Sequence, residues 1–481
     1  GRLGERERVR AIFRYDREVD PDKALAPARE RWARHPQCLA CGVWLTWAAS
    51  DLERWDECLK TIGQVRALDG ASSVPRIDRL EATCTAGKGD RNRALEIARH
   101  GITLARAQGA RSELARLRMV EGRIAAESQV HDAVTAFAEA HDLFVALHDR
   151  PALLEAIEQS HELFARTGEL GAALRLLDEQ EQLERAIGRH DTGAIDRDRG
   201  WIMAQRGELD AGRAKLDRAY ELMKPYGNTL DLRFITHHLE RQIQRMRGDL
   251  PGALKTVEED LAFVRDKGWP NREQRQLCGH LIVVARDLMQ ADRMSEARAD
   301  LDEASTFDPS DSDKADITYE KARLALYTDH PAEAESLARV AAEGYEGIGQ
   351  PVELAMTRAV LARALLAQGK LDEAFVVAEK AKAVGERLEL LEPRVDVLVA
   401  HGLVQGWTNA VLGLPTLDRA CDDARKAGVV PALFEAELAR GQVLLRDGKT
   451  AEGRALLVQL EKDARARGWM RIARLAAAAA K

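Results

Sequence analysis

Apolar and small residues recur with a helical period along this chain, in paired segments separated by a short polar turn. The stretch 351–388 is the clearest pair. Its first stripe carries Leu354, Val360, Leu361 and Leu365, and its second carries Ala374, Val377, Ala378 and Ala381. Pro351 opens the first segment and Gly369 ends it, as expected at helix starts and ends. Asp372 is expected to cap the second helix. The pattern predicts two helices joined by a tight turn.

That turn recurs about every 40 residues, and Gly369-Lys-Leu-Asp-Glu-Ala374 is its clearest copy. Other copies begin at Gly168, Gly207, Gly248 and Gly448. The small residue that opens each second helix gives an anchor for its repeat. The anchors are Ala24, Cys58, Ala94, Ala133, Ala173, Gly212, Ala253, Ala297, Ala334, Ala374, a position near Asp418, and Gly453. They predict an all-α, right-handed α-solenoid of about twelve helix-turn-helix repeats. We expect one continuous superhelix over residues 1–481, less regular in 1–190 than in 191–481.

Small residues also recur seven positions before the turn, where a larger side chain would hold the paired helices apart. They are Ala82, Gly200, Ala285, Ala322, Ala362, Gly406 and Gly441. Together with the period, this pattern resembles the tetratricopeptide (TPR) repeat family in a long form of about 40 residues. The resemblance covers nearly the whole chain. It is to repeat arrays of multidomain bacterial signalling proteins, among them kinases and transcriptional regulators, and similar arrays lie beside caspase-like peptidases. It implies a protein- or peptide-binding module whose effector lies outside this chain.

Composition narrows the class of partner and the compartment. The residues are 31% charged and 45% hydrophobic, which is typical of a globular chain. The net charge of -7 argues against binding to nucleic acid. No apolar run approaches 18 residues and no signal-peptide core is present, so no membrane association is expected. Six cysteines make a reduced cytoplasm the default. The chain opens without Met, and we interpret residue 1 as the start of a fragment or processed product.

The concave face of such an array is lined by first helices, and positions six before the turn are expected to point into its groove. They are Trp201, Gln242, Arg286, Arg323, Arg363, Trp407 and Gln442, with His238 expected on the same face. Three arginines in successive repeats suit a partner segment with carboxylate or phosphate groups. Alternatively, each arginine pairs with a neighbouring acid on an ordinary surface. The tryptophans are either partner anchors or packing between repeats.

Cys38-Leu-Ala-Cys41 has the spacing of a zinc half-site, and Cys58 and Cys84 could complete a set of four. No second Cys-x-x-Cys is present, and residues 37–50 have a helical pattern, so this is only a weak metal candidate. A redox pair is a further alternative, and buried thiols are favoured. The acidic segment Asp308–Asp316 is expected to be a helix link with capping residues. We expect no cofactor, because no phosphate loop or catalytic motif occurs.

Three functions remain after these observations. The first is a non-catalytic module whose concave groove receives a protein or peptide segment. The second is a scaffold or inhibitor that holds a partner enzyme, such as a caspase-like peptidase or a kinase, through its outer surface or ends. The third and least favoured is an enzyme. Arginines that line an open groove favour the first function, whereas arginines that are all paired with Glu or Asp favour the second.

Overall fold

The computed structural model describes residues 21–126, 128–189, 192–226, 232, 234–266, 272–307 and 309–481. These residues form α-helices, two short 3₁₀ segments (Ala71–Ser73 and Lys224–Tyr226) and a π-helical segment (Phe234–Leu239), and they contain no strand. The α-helices are α1 Pro21–Arg34, α2 Leu39–Asp51, α3 Trp55–Arg66, α4 Pro75–Gly87, α5 Arg91–Ala107, α6 Arg111–Ala125, α7 Val130–Leu147, α8 Arg150–Arg166, α9 Leu170–Ala186, α10 Ala194–Gln205, α11 Leu209–Met223, α12 Glu240–Met246, α13 Leu250–Asp266, α14 Arg272–Gln290, α15 Met294–Ala304, α16 Asp311–Tyr327, α17 Pro331–Ile348, α18 Pro351–Ala367, α19 Leu371–Gly385, α20 Leu391–Thr408, α21 Ala410–Ala427, α22 Val430–Arg446, α23 Thr450–Ala466 and α24 Met470–Ala479.

Consecutive helices pack against each other along the chain, which makes the fold an all-α helical-repeat solenoid of TPR type. The chain divides into two compact units, Gly1–Ser160 and His161–Lys481. The predicted anchors from Cys58 to Gly453 all fall in the second helix of a pair, although the anchor near Asp418 is displaced from the small position of its repeat. The single continuous superhelix over 1–481 stays a prediction.

The pair α18 and α19 shows what the local sequence dictates. Pro351 begins α18, and Gly369 adopts a left-handed φ of 76° just after it, both as predicted. The prediction for Asp372 was wrong. The turn is so short that Lys370 takes the N-cap position of α19 and makes no side-chain cap, which leaves Asp372 inside the first helical turn.

The eleventh anchor near Asp418 was also wrong, and Gly413 takes its place. Only Asn409 separates α20 from α21, so this turn is shorter than the others. Gly402 packs on Leu417, just as Gly441 packs on Leu457 in the next repeat. The shorter turn therefore moves the small position of this repeat from Gly406 to Gly402.

The second unit, His161–Lys481, coils back on itself, so that residues about 220 positions apart meet. The Glu389 amide donates to Gly168 O at 3.2 Å, and the Trp469 indole Nε1 donates to Gly248 O at 3.0 Å. Further along the same seam, α12 packs against α22 and α14 packs against α24. Apolar residues of α14 share one buried core with Phe434 and Leu438 of α22. Successive turns of this coil are therefore in direct contact, which the repeat period did not predict.

Candidate functional site

The three predicted groove arginines lie on successive first helices, Arg286 on α14, Arg323 on α16 and Arg363 on α18. Each is bonded to a carboxylate. Arg286 Nε donates to Glu320 Oε1 at 2.7 Å, and Arg323 Nη1 donates to Glu320 Oε2 at 2.8 Å. Arg363 Nη2 donates to Asp396 Oδ1 at 2.8 Å. The three arginines lie on successive first helices, and each already bonds an acid, with Glu320 shared between Arg286 and Arg323.

The pairs extend into a network that reaches the last helix. Arg471 of α24 bonds Glu435, and its Nε donates to Gln290 Oε1 at 3.0 Å. The Arg471 guanidinium carbon also lies 4.0 Å from the centre of the Tyr327 ring. Arg471 and Glu435 were not predicted from the sequence, because the contacts of Arg471 with Gln290 and Tyr327 form only through the coiling of the unit. We call Arg286, Glu320, Arg323, Tyr327, Arg363, Asp396, Glu435 and Arg471 the inner charge network.

Glu320 is the hub of this network, with no exposed side-chain surface. Burial opposes its ionisation, but the charges of Arg323 and Arg286 outweigh that effect and hold the pKa of the carboxyl below its ordinary value. The Glu320 charge in turn raises the pKa of Arg286. Solvent reaches 40% of the Arg286 side chain but only 14% of Arg323 and 13% of Arg363. Arg286 is thus the member of the row most available to a ligand.

Trp201 lies on α10, Gln242 lies on α12, and His238 lies in the π-helical segment before α12. The Trp201 and His238 ring centres are 6.1 Å apart, and Trp201 packs against the apolar core of the unit. Burial, with a smaller contribution from the charge of Arg241, lowers the pKa of His238 to about 4, so its ring is neutral at pH 7. Gln242 Oε1 accepts from Gln205 Nε2 at 3.4 Å. These contacts favour packing between repeats over partner anchoring.

Trp407 does not belong to the row, because the shorter turn in its repeat puts Leu403 at the equivalent position. Trp407 lies one helical turn further along α20 and is half-buried against two apolar clusters. The Arg446 guanidinium lies 5.1 Å from the ring centre, and its Nε donates to Trp407 O at 3.0 Å. The side chain is a packing element between neighbouring repeats. Gln442, the last member of the predicted row, is half-buried on α22.

Two carboxyls with raised pKa values were not predicted. Tyr345 donates to Asp316 Oδ1 at 2.5 Å. Burial raises the pKa of Asp316 to about 6 and that of Glu353 to about 7, and the Asp316 charge adds to the rise at Glu353. The positive charge of Arg286 opposes both shifts. Only the folded chain brings these acids of α16 and α18 together, so the local sequence could not reveal them.

A cavity of about 610 Å³ lies at the seam between turns of the coil. Its walls include Arg175, Arg206, Glu208, Glu389 and Arg394. The Glu389 carboxylate already accepts from the Gly171 amide at 2.7 Å. Arg206 Nε lies 3.4 Å from Glu208 Oε1. This polar recess carries charges of both signs and does not select one class of ligand.

The cysteines differ from the prediction of buried thiols. Cys38 is bonded to Cys41, and Cys58 to Cys84, whereas Cys278 and Cys421 are free and buried. Cys38 and Cys41, the weak metal candidate, therefore hold each other rather than a metal ion. The prediction failed because spacing along the chain cannot show that Cys58 of α3 faces Cys84 of α4. No group of three or more metal-ligating side chains occurs among the residues described.

The acidic segment predicted as a helix link with capping residues runs from the link into α16, which begins at Asp311; Asp308 lies outside the described residues. Ser310 is the N-cap, and its hydroxyl accepts from the Asp313 amide at 3.2 Å. Asp313 Oδ2 accepts from the Ser310 amide at 3.1 Å, which completes a capping box.

Large apolar side chains are exposed on the second helices of the repeats. In the second unit they lie on α17, α19, α21 and α23 and at the end of α9; those on the four helices are Val340, Phe375, Val376, Val411, Leu412 and Val458. Val411 is 77% exposed and Val376 is 53% exposed. Phe375 and Val376 are neighbours on α19, and Val411 and Leu412 are neighbours on α21, so each of two successive second helices carries one exposed apolar pair. Within the described part of the chain, no helix is long and apolar enough to cross a membrane.

No protein-family model matches the chain, and no curated protein matches it. Among solved structures, the chain is similar to a Rap protein crystallised in complex with competence and sporulation factor. The two share 12% sequence identity with a TM-score of 0.42, and the match covers 68% of this chain and 96% of the Rap chain. The fold assignment above therefore comes from the helices of this chain itself.

Proposed function

We propose that this chain is a non-catalytic protein-interaction module that holds its partner through the outer face of its second unit. The observation that carries the proposal is the pairing of Arg286, Arg323 and Arg363 with carboxylates of the same inner face. A charged ligand would have to break these internal pairs before it gained bonds of its own. An inner face that is already satisfied favours an outer binding site.

The second helices of the repeats form the outer face of the second unit, and they carry its exposed large apolar side chains. The pairs Phe375-Val376 and Val411-Leu412 project from α19 and α21 into solvent. Exposed apolar side chains gain free energy when a partner covers them, about 25 cal/mol per Å² buried. A helical-repeat array presents such side chains on a long regular surface, which suits protein segments rather than small molecules. On the resemblance to bacterial signalling arrays, the partner is an effector that this module regulates.

A second candidate function places the partner on the inner face, at Arg286. The Arg286 side chain is 40% exposed although it bonds Glu320. An acidic partner segment could compete with Glu320 for this guanidinium. This candidate requires Arg286, whereas the outer-face proposal does not.

Binding to a partner isolated from cells of the source organism separates the two functions. The outer variant carries Val376→Glu and Val411→Glu, which place charges in the two apolar pairs. The inner variant carries Arg286→Gln, which removes the accessible guanidinium. We expect the outer variant to bind at least tenfold more weakly, about 1.4 kcal/mol, and the inner variant to bind as the parent does.

Val145→Glu is the matched control, because Val145 is 45% exposed on a second helix of the other unit. It adds the same kind of charge on the unit that does not carry the proposed surface and is expected to leave binding unchanged. Loss of binding by Arg286→Gln, with the outer variant unaffected, would instead establish the inner face as the site.

A further inference from the structure

Four of the six cysteines lie in the first unit, and their two disulfides differ in kind. Cys58 and Cys84 are fully buried and join α3 to α4 across 26 residues. Cys38 and Cys41 are three residues apart, and Cys38 is only partly buried while Cys41 is 4% exposed. The first bond is a buried cross-link, whereas the second includes a residue, Cys38, that solvent reaches in part.

The position of Cys38 suits thiol chemistry. It is the N-cap of α2, a helix of 13 residues, and its Sγ accepts from the Cys41 amide at 3.2 Å. Amides at a helix start carry partial positive charge and stabilise a thiolate there. A sulfur that is both accessible and stabilised as a thiolate is attacked readily and leaves readily. The buried Cys41 is held where it can attack Cys38 in turn.

We propose that Cys38 and Cys41 form a redox-active dithiol–disulfide centre that exchanges with external thiols. In the reducing direction, an external thiolate attacks Cys38 Sγ and forms a mixed disulfide, and the Cys38–Cys41 bond breaks to release the Cys41 thiolate. A second external thiolate then attacks the external sulfur of the mixed disulfide and releases the Cys38 thiolate. The net change is two thiols oxidised to one disulfide and the protein disulfide reduced to two thiols, with two electrons transferred. The reverse sequence oxidises the protein with an external disulfide.

The buried pair Cys58–Cys84 provides an internal control within the same molecule. No sulfur of that pair is open to an attacking thiolate while the unit is folded. We therefore expect glutathione to reduce Cys38–Cys41 at least about tenfold faster than Cys58–Cys84 in the native full-length chain. Alkylation of the new thiols at timed intervals, followed by peptide mass spectrometry, measures both rates.

Single variants identify the attacking sulfur. With oxidised glutathione, Cys41→Ser is expected to accumulate a mixed disulfide at Cys38, because no neighbouring thiol remains to resolve it. Cys38→Ser leaves only the buried Cys41 and is expected to trap at least about tenfold less. Circular dichroism establishes that both variants are folded. The same two variants incubated with a lysate of the source organism distinguish a protein thiol from glutathione as the exchange partner.

Two results would overturn the proposal. The first is reduction of both disulfides at one common rate, since that reports unfolding of the unit rather than exchange at a built centre. The second is equal trapping by Cys41→Ser and Cys38→Ser in the folded protein. If either variant fails to fold, the two reduction rates in the parent chain decide the question alone.

Discussion

Glu320→Gln tests the inner charge network at its hub. The substitution keeps the size of the side chain but removes the negative charge that Arg286 and Arg323 share. Because Glu320 is fully buried, the neutral amide would leave the two guanidinium charges without the carboxylate that both of them bond. Removing one partner of a buried ion pair costs about 3–5 kcal/mol. Solvent reaches part of Arg286 and relieves its side of the loss, so we expect about 3 kcal/mol, the lower end.

Urea unfolding followed by circular dichroism measures this change, with an unchanged slope required for the comparison. Glu296→Gln is the matched control, because Glu296 bonds Arg293 at 2.6 Å on the surface of the same unit. Exposed pairs contribute little, so its midpoint is expected to match the parent. Adding Arg323→Met to Glu320→Gln removes one stranded charge and is expected to recover part of the loss. A midpoint for Glu320→Gln equal to the parent's would refute the reasoning.

Two further predictions concern the seam and the raised carboxyls. Gly207 and Gly369 both have left-handed φ angles, 88° and 76°, so alanine strains the backbone at both, but only at Gly207 would the new methyl meet the next turn, 2.7 Å from Ala427 Cβ. The free energy of unfolding is therefore expected to fall about 1–3 kcal/mol further in Gly207→Ala than in Gly369→Ala. Equal losses in the two variants would contradict the contact. The folded-state pKa values of about 6 for Asp316 and about 7 for Glu353 lie above those of the unfolded chain, so the folded state holds more protons and stability falls as pH rises from about 4 to 7. Asp316→Asn or Glu353→Gln is expected to flatten that fall by up to about 3 kcal/mol, measured as unfolding midpoints across this range, and an unchanged slope in both variants would contradict the raised pKa values.

Local features of the fold could be predicted from sequence, and contacts between distant repeats could not. The helical period, Pro351 and Gly369 gave the helix pairs correctly, since each acts within a few residues of itself. The arginine row was found for the same reason, because Arg286, Arg323 and Arg363 repeat in register. Their acceptors Glu320 and Asp396 were not singled out, because only the packing of neighbouring helices shows which acid each guanidinium reaches. Arg471 was not found, because it meets Gln290 and Tyr327 only through the coiling of the unit. The shifted frame around Trp407 arose from one shortened turn.

The second unit coils back on itself and so satisfies its own inner face. Spin labels at Glu208→Cys and Lys426→Cys test it directly, since both positions are exposed beside the contact of Gly207 with Ala427, and the free native cysteines are buried. Pulsed dipolar spectroscopy then measures the distance between labels separated by 218 residues (426 minus 208). We expect one short population on the order of 20 Å, given about 3.8 Å between neighbouring Cα atoms and the length of the labels. An open array with about 8–10 Å between packed helices would put the labels on the order of 50 Å apart, and that result would contradict the account.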